Sequence, residues 1–256
     1  MEFQHLLAAT KLVGADTLYF NHTEEWSAKR DALLIQLHDL PVLESLYLAA
    51  PKTPYREGSP IVIVDQVPRI RLMSACEATA NCLYSMAELA AFFGNKASGG
   101  RLPSKFNRLR EKAAGGLLPG DLVAALGDLQ WYERVRELRT EWTHYSTMFI
   151  GEEGGAPLLI ARSHRRPSDR KQFPAADGVR FRVCNLVDWT KHAIETVDRF
   201  AVYLLTTYVL PQFDPTKEIL APVFDGNGMI SFERSGLIAT ERITTREYLR
   251  RRGMSV

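Results

Sequence analysis

The sequence predicts a mainly α fold, an antiparallel up-and-down helical bundle with an inserted β-hairpin and a small mixed C-terminal tail. Four long segments, 27–50, 68–93, 121–151 and 185–208, repeat apolar residues at helical intervals. Short turns marked by glycine or proline separate most of them, as is typical of neighbouring antiparallel helices. The two-residue period of a strand is confined to two short segments. A helical bundle therefore accounts for most of the chain.

The first helix is predicted over 27–50, where Tyr47 and a series of leucines share one face and Ser27 is a suitable N-cap. Pro41 has no backbone N–H, so we expect it to kink this helix or to split it in two. The run 51–60 contains three prolines and a glycine and is expected to be a loop. The apolar run 61–64 fits either a strand or the lead-in to the next helix.

The second helix is predicted over 68–93, with Gly94 as its C-cap. One stripe of this helix is apolar. A second, narrow stripe is polar and consists of Ser74, Glu77, Asn81, Ser85 and Glu88. A solvated face explains this polar stripe. The alternative is that Glu77 and Asn81 face Arg139 inside the bundle and support it.

A shorter helix is expected from about Ser104 to Ala114, closed by the pair Gly115 and Gly116. The next helical pattern begins near Asp121 and is predicted to continue to about Gly151. This long helix carries the residues on which the functional argument depends.

The β-hairpin is predicted from two strand-like runs, 157–164 and 179–184, separated by a long basic tip. Asn185 or Asp188 is expected to cap the last bundle helix, which runs to about Tyr208. In the tail, 230–232 has strand character and 245–252 predicts a short basic helix. The predicted organisation is an N-terminal extension (1–26), a helical bundle (27–210, with the hairpin at 157–184) and a C-terminal extension (211–256).

Composition sets limits on the function. The 256 residues are 46% apolar and 24% charged with a formal net charge of +2, so a nucleic-acid role requires a local basic patch. The three cysteines form no C-x-x-C pair and predict free thiols in a reducing compartment. No signal peptide and no run of about 20 apolar residues is evident, so we expect a cytoplasmic protein without a membrane association. The scattered histidines lack the spacing of a zinc site, and no cofactor or metal is expected.

The most informative motif is Arg139 followed five residues later by His144. Arginine stays charged and binds phosphate through forked hydrogen bonds, whereas histidine exchanges protons near neutral pH. Together these side chains can hold a phosphodiester and move its protons. On a regular α-helix they lie about 140° apart. One subunit therefore does not bring them together, but two helices packed about a two-fold axis would bring both copies into one cleft.

A helical bundle whose long helix carries R-x4-H resembles the HEPN superfamily, and the resemblance covers residues 27–210. It implies a metal-independent endoribonuclease that acts as a homodimer on RNA. His144 would be the general base or acid for attack of the ribose 2′-OH, leaving a 2′,3′-cyclic phosphate. Arg139 would hold the phosphate, while Thr140 and Glu141 would orient His144. The same resemblance implies that the protein is a toxin or defence effector whose partner is an antitoxin or a regulatory protein.

Basic residues at the hairpin tip form a second candidate site, the RNA-backbone clamp Arg162, Arg165, Arg166, Arg170 and Lys171. A solvated charged loop is the alternative explanation of this run. Two further interpretations of the whole protein stay open. Many active HEPN members carry asparagine where this chain has Thr140, which leaves room for an inert HEPN-like module that binds a nucleotide, RNA or protein. A purely structural helical protein is the third.

Overall fold

The computed structural model describes residues 6, 17–54, 57, 62–140, 142, 146–163, 180–212, 214–223, 225, 231–251 and 253. Helices dominate this part of the chain and small antiparallel sheets accompany them, which confirms the predicted fold class. The helices are α1 (Thr17–Ala49), α2 (Gln66–Ala97), α3 (Phe106–Ala114), α4 (Gly120–Leu126), α5 (Gln130–Thr140), α6 (Val183–Leu204) and α7 (Thr245–Arg251). The strands are β1 (Lys52–Pro54), β2 (Val62–Val64), β3 (Ser146–Glu153), β4 (Ala156–Ser163), β5 (Arg180–Arg182), β6 (Glu218–Pro222) and β7 (Thr240–Thr244).

The bundle is built around α2 and α6, each of which packs against both α1 and α5. Two apolar clusters fill it. The main cluster contains Trp26, Phe93 and Phe200, and the second joins Leu40, Tyr47 and Leu138 to the β3–β4–β5 sheet through Leu159 and Phe181. Trp189 of α6 packs against both clusters. The apolar face that the spacing predicts for the last bundle helix is confirmed, because its members are buried or half-buried: Leu186, Trp189, Ile194, Val197, Phe200, Ala201, Leu204 and Leu205.

Helix α1 differs from its prediction at its start and at Pro41. It begins at Thr17, so Ser27 lies inside the helix and is not its N-cap. Pro41 does not split it, because Leu40 and Tyr47 are fully buried on either side of the proline and packing holds both turns in place. The run 61–64, which fitted a strand or a helix lead-in, contains β2, and β2 pairs with β1 inside the predicted loop.

Helix α2 continues past Gly94 to Ala97, so the prediction of Gly94 as its C-cap is wrong. Gly94 lies inside the helix, at the point where α6 crosses it. A Cβ atom at this position would lie 2.9 Å from Cζ of Phe200. The glycine therefore allows two helices to approach closely and does not terminate one. Ser98 caps the helix instead, its backbone N–H donating to the carbonyl of Gly94.

The long helix predicted over 121–151 is wrong: the structure has α4, α5 and strand β3 in its place. Gly127 ends α4 with a positive φ of 61°. At the other end, all eight residues of β3 pair with β4. The two-residue turn between them is Gly154 and Gly155, with φ values of 60° and 75°, the signs that a type I′ hairpin turn requires.

The predicted pairing of 157–164 with 179–184 is confirmed in part, since β4 pairs antiparallel with β5 over three residues. Strand β5 is short because α6 begins at Val183. Asn185 does stabilise the start of α6, although from inside the first turn, where its Oδ1 accepts from the backbone N–H of Arg182 at 3.0 Å. The sheet order is therefore β3–β4–β5, one strand more than predicted.

The C-terminal part combines β6, β7 and α7 with an isolated bridge between Phe232 and Ile238. Helix α7 matches the predicted terminal helix to within one residue. All three cysteines are free: Cys76 is buried, Cys82 half-buried and Cys184 exposed. Across the described residues, the helices are all too short or too polar to cross a bilayer.

Candidate functional site

Arg139 lies one residue before the end of α5, on the side of that helix that packs against α2. Its guanidinium carbon is 4.4 Å from the ring centroid of Tyr84 on α2. Leu138, the preceding residue, is fully buried in the second cluster and anchors this turn of the helix. A cation held over a ring face is stabilised by about 0.5–2 kcal/mol, depending on its exposure. Arg139 is thus half-buried and oriented by Tyr84.

Tyr84 is itself fixed by a second tyrosine. The rings of Tyr84 and Tyr132 stack with centroids 5.9 Å apart and planes inclined by 16°. The hydroxyl of Tyr132 donates to Oε1 of Glu88 at 2.8 Å, so one residue of α5 is tied to α2 by a charge-assisted hydrogen bond. Burial, and then the neighbouring Glu88 carboxylate, raise the pKa of Tyr132 above its ordinary value. The tyrosine therefore stays neutral and serves as a fixed support.

Charges around this site divide into paired and unpaired arginines. Arg110 pairs with Glu133, Arg108 with Glu111 and Arg134 with Glu137. Arg136 donates instead to the amide oxygen of Asn107 at 2.8 Å. Within the described part of the chain, neither Arg136 nor Arg139 has a carboxylate within salt-bridge distance. Two positive charges on α5 thus remain without an acidic partner there.

This arrangement is suited to binding an anion. A guanidinium that lies over a ring keeps its N–H donors at its edge, where they remain able to form forked hydrogen bonds to phosphate. The stacked pair of tyrosines restricts the position of Arg139, so less conformational entropy is lost when a ligand binds.

The other residues that the sequence predicts to act with Arg139 are not all close to it in the structure. Thr140 is half-buried and is the last residue of α5. Glu77 and Asn81 are exposed on α2, and neither of these two forms a hydrogen bond or ion pair with Arg139. Glu141 and His144 lie outside the described residues. The 140° separation expected for Arg139 and His144 presupposes one continuous α-helix, whereas α5 ends at Thr140 and Trp142 is in a π-type turn.

The hairpin-tip clamp is also largely outside the described residues. Arg162 lies on β4, opposite Thr147 of β3, and its side chain is among the parts not described. Arg165, Arg166, Arg170 and Lys171 belong to the segment 164–179, which the structure does not describe.

Sequence reasoning did not identify Tyr84 or Tyr132 as part of the site. Both fall in segments predicted to be helical from their apolar spacing, where neither tyrosine is given a role, and Tyr132 is buried. A signal was present: Tyr84 stands four residues before Glu88, and it follows Glu77 and Asn81 by seven and three residues. It therefore borders the polar stripe that was considered as a partner of Arg139.

Among the described residues, no cluster of three or more His, Cys, Asp or Glu side chains has the arrangement of a metal site. Comparison of the chain with protein families, with curated proteins and with solved structures finds no match.

Proposed function

We propose that the protein is a HEPN-like endoribonuclease that cleaves RNA without a metal ion, and that Arg139 holds the scissile phosphodiester. One observation carries this proposal. The Arg139 guanidinium is held over the ring of Tyr84 and has no carboxylate partner among the described residues. An arginine that is restrained and half-buried, yet without an acidic partner there, is arranged to receive an anion.

In the proposed reaction the ribose 2′-OH attacks the adjacent phosphorus and the P–O5′ bond breaks. The products are a 2′,3′-cyclic phosphate and a 5′-OH end. His144 removes the 2′-OH proton or protonates the leaving oxygen, which typically contributes about 10²–10⁴-fold in rate. Arg139 stabilises the charge that develops on the phosphate. Thr140 and Glu141 orient His144, and this part of the proposal rests on the sequence motif alone.

Further contacts to RNA would come from positively charged residues beside the site and on the hairpin. Arg136 lies three residues before Arg139 and is exposed. The basic tip, Arg162, Arg165, Arg166, Arg170 and Lys171, would bind the RNA backbone. Contacts of this kind depend on salt and do not select a base sequence.

Cleavage is tested by incubating the purified protein with mixed RNA in EDTA and analysing the fragment ends. We expect 2′,3′-cyclic phosphate and 5′-OH termini. Arg139→Ala removes the phosphate ligand and should abolish cleavage. Arg139→Lys keeps the positive charge over Tyr84 but loses the forked donors, so a loss of activity in this variant separates phosphate recognition from support of the fold.

Arg250→Ala is a matched control, because Arg250 is an exposed arginine on α7 whose side chain is 76% accessible. His144→Ala should abolish cleavage without changing the unfolding midpoint. Equal cleavage by wild type and His144→Ala, or no cleavage of any RNA by the wild type, would overturn the proposal.

A second candidate function is an inert HEPN-like module that binds a nucleotide, RNA or protein. Thr140 favours it, because many active HEPN members carry asparagine at that position. RNA binding that requires Arg139, without cleavage under any condition, would support this function over the first.

The proposed nuclease is a homodimer, since a HEPN-type site uses both copies of the motif. We expect sedimentation to show a dimer at tens of micromolar (~10⁻⁵ M, at which dimers of ordinary affinity persist). A toxin or defence role, with an antitoxin or regulatory protein as partner, belongs to the same proposal. Growth arrest on expression of the wild type, and not of His144→Ala, is the expected result.

A further inference from the structure

An open cleft of about 580 Å³ separates the first turns of α5 from the first half of α6. Its apolar lining is aromatic and consists of Phe181, Trp131 and Trp189. Its polar lining includes Arg134 from α5 and Asn185 and Asp188 from α6. The α6 residues are spaced so that they share one face of the helix.

The aromatic side of the cleft is rigid. The ring of Trp189 meets that of Phe181 edge to face, with centroids 5.2 Å apart and planes at 83°. Trp189 also packs against both core clusters and is half-buried, so its orientation is fixed while part of its surface stays accessible. Trp131 is 3% exposed and lines the same cleft. These side chains provide an apolar wall in which part of the Trp189 ring stays accessible.

Hydrogen-bonding groups around the cleft are incompletely used. The indole N–H of Trp131 is buried and has no acceptor among the described residues. Because this nitrogen is shielded from solvent, it does not face the open cleft and a ligand there does not contact it. Asn185 uses its Oδ1 for the backbone of Arg182, which leaves its NH₂ group for a ligand. Among the described residues, the cation within salt-bridge distance of the Asp188 carboxylate is Lys191, whose Nζ lies 4.0 Å away and so beyond hydrogen-bond distance.

These groups limit the class of ligand. An aliphatic amine supplies donors for Asp188 but no acceptor for the NH₂ group of Asn185. A simple anion supplies acceptors but is repelled by Asp188. A nucleobase presents donors and acceptors along one edge and a flat face that stacks on an indole. We propose that this cleft binds a nucleobase that carries an exocyclic amino group, with Asp188 accepting from that amino group.

The cleft is a different site from that of Arg139. Arg134 and Arg139 are five residues apart on α5, about 7.5 Å along the axis and about 140° around it. Arg139 contacts α2, whereas Arg134 lines the cleft beside α6. Base binding in the cleft therefore does not require that the protein cleaves RNA.

Calorimetric titration of the intact protein with CMP, AMP, GMP and UMP tests the proposal. We expect binding of the amino-bearing nucleotides and weaker binding of UMP. Asp188→Asn should weaken CMP binding by about tenfold or more, the usual effect of losing a hydrogen bond to a charged group. The Asp188 side chain is 61% accessible, so this substitution should leave the thermal unfolding midpoint unchanged.

Asp39→Asn is the matched control, because Asp39 is a half-exposed carboxylate on α1 and does not line the cleft. Unchanged CMP binding is expected in this variant. A short single-stranded RNA that binds more tightly than CMP identifies RNA as the source of the base, and the reverse order identifies a free nucleotide. Absence of binding at millimolar nucleotide, equal affinity for UMP, or an unaffected Asp188→Asn variant would each overturn the proposal.

Spermidine is included as a probe for an amine site. Binding of spermidine that Asp188→Asn weakens, without binding of nucleotides, would assign the cleft to aliphatic amines and reject the nucleobase. If CMP binding behaves as expected while no RNA is cleaved, the proposed nuclease fails and the nucleobase site stands. If RNA is cleaved while CMP does not bind, the nucleobase site fails and the proposed nuclease stands.

Discussion

Two buried tyrosines differ in what their hydroxyl groups contact. Tyr132 donates its hydroxyl hydrogen to Glu88, whereas the hydroxyl of Tyr47 is buried without a hydrogen-bond partner in the described part of the chain. Burial, followed by the nearby Glu152, raises the pKa of Tyr47 to about 12. The hydroxyl of Tyr132 therefore stabilises the fold, whereas the hydroxyl of Tyr47 destabilises it.

We expect Tyr47→Phe to raise the free energy of unfolding by up to about 1 kcal/mol, because it removes a buried group that lacks a partner. The ring remains available to Lys52, whose Nζ lies 5.3 Å from its centroid. Tyr132→Phe should lower the free energy of unfolding by about 1–3 kcal/mol, because the half-buried Glu88 carboxylate loses its donor. Urea unfolding of both variants measures the difference, and effects of equal sign would contradict this account.

At the residue scale, sequence reasoning is able to place Arg139 beside the buried side of α5, because helical spacing around Leu138 determines which side faces the core. It did not find Tyr84, since the partner of a side chain on another helix depends on the crossing of α2 and α5. Local spacing contains no information on that crossing. The prediction that His144 moves the proton stays a prediction, because His144 lies outside the described residues.

At the scale of elements, the closest approach of α2 and α6 depends on Gly94. Phe200 is 1% exposed and cannot move aside into solvent. Its ring occupies the space that a side chain at position 94 would need. Sequence alone presents Gly94 as a helix terminator, because a helix interior gains nothing from glycine unless another chain segment is close.

Gly94→Ala should lower the free energy of unfolding by about 1–2 kcal/mol. Overpacking against Phe200 costs about 1–3 kcal/mol, and the higher helix propensity of alanine offsets up to about 1 kcal/mol of that cost. Gly120→Ala is the control, because no heavy atom lies within 4 Å of the Cβ position in α4 and stability should stay equal or rise. Chemical denaturation measures both, and a stabilised Gly94→Ala variant would refute the close approach.

Helices were predicted more accurately than strands for a physical reason. An apolar stripe along a helix is a local pattern, and the predicted face of α6 is buried as expected. Strand β3 depends on pairing with β4 along its whole length, which is not a local pattern. The sequence predicts a helix there because the spacing of Tyr145 and Phe149 also fits a helix. The Gly154–Gly155 pair was the signal in the sequence for a two-residue hairpin turn.

At the scale of the whole molecule, both ends of the chain contribute to one core. Trp26, from the segment 1–26 expected to be an extension, is fully buried in the main cluster. Leu249 of α7, from the expected extension 211–256, is fully buried in the same cluster. Backbone hydrogen bonds from Thr245 and Arg246 to Lys217 and Pro215 hold α7 in place. Composition does not reveal such docking, because the tail's own pattern is that of a short basic helix.

Leu249→Ala should therefore destabilise the bundle itself, by about 2–5 kcal/mol, as expected for truncation of a fully buried leucine. Leu220→Ala in β6 is the matched control: its side chain is 67% exposed, and a change within about 0.5 kcal/mol is expected. The measurement is the urea midpoint followed by tryptophan fluorescence, which reports on the bundle because all four tryptophans precede residue 190. An effect of Leu249→Ala as small as that of the control would show that the tail is independent.

The exposure of the three thiols gives this protein a built-in attachment point for a spectroscopic label. Burial raises the pKa of Cys76 to about 12 and also raises that of the Cys82 thiol, so both resist alkylation, which requires the thiolate. Cys184 is exposed in the first turn of α6, directly before Asn185 of the cleft. A maleimide dye should therefore attach at Cys184 alone in the unmodified sequence. Its emission would then follow occupancy of the cleft in real time, without any engineered cysteine.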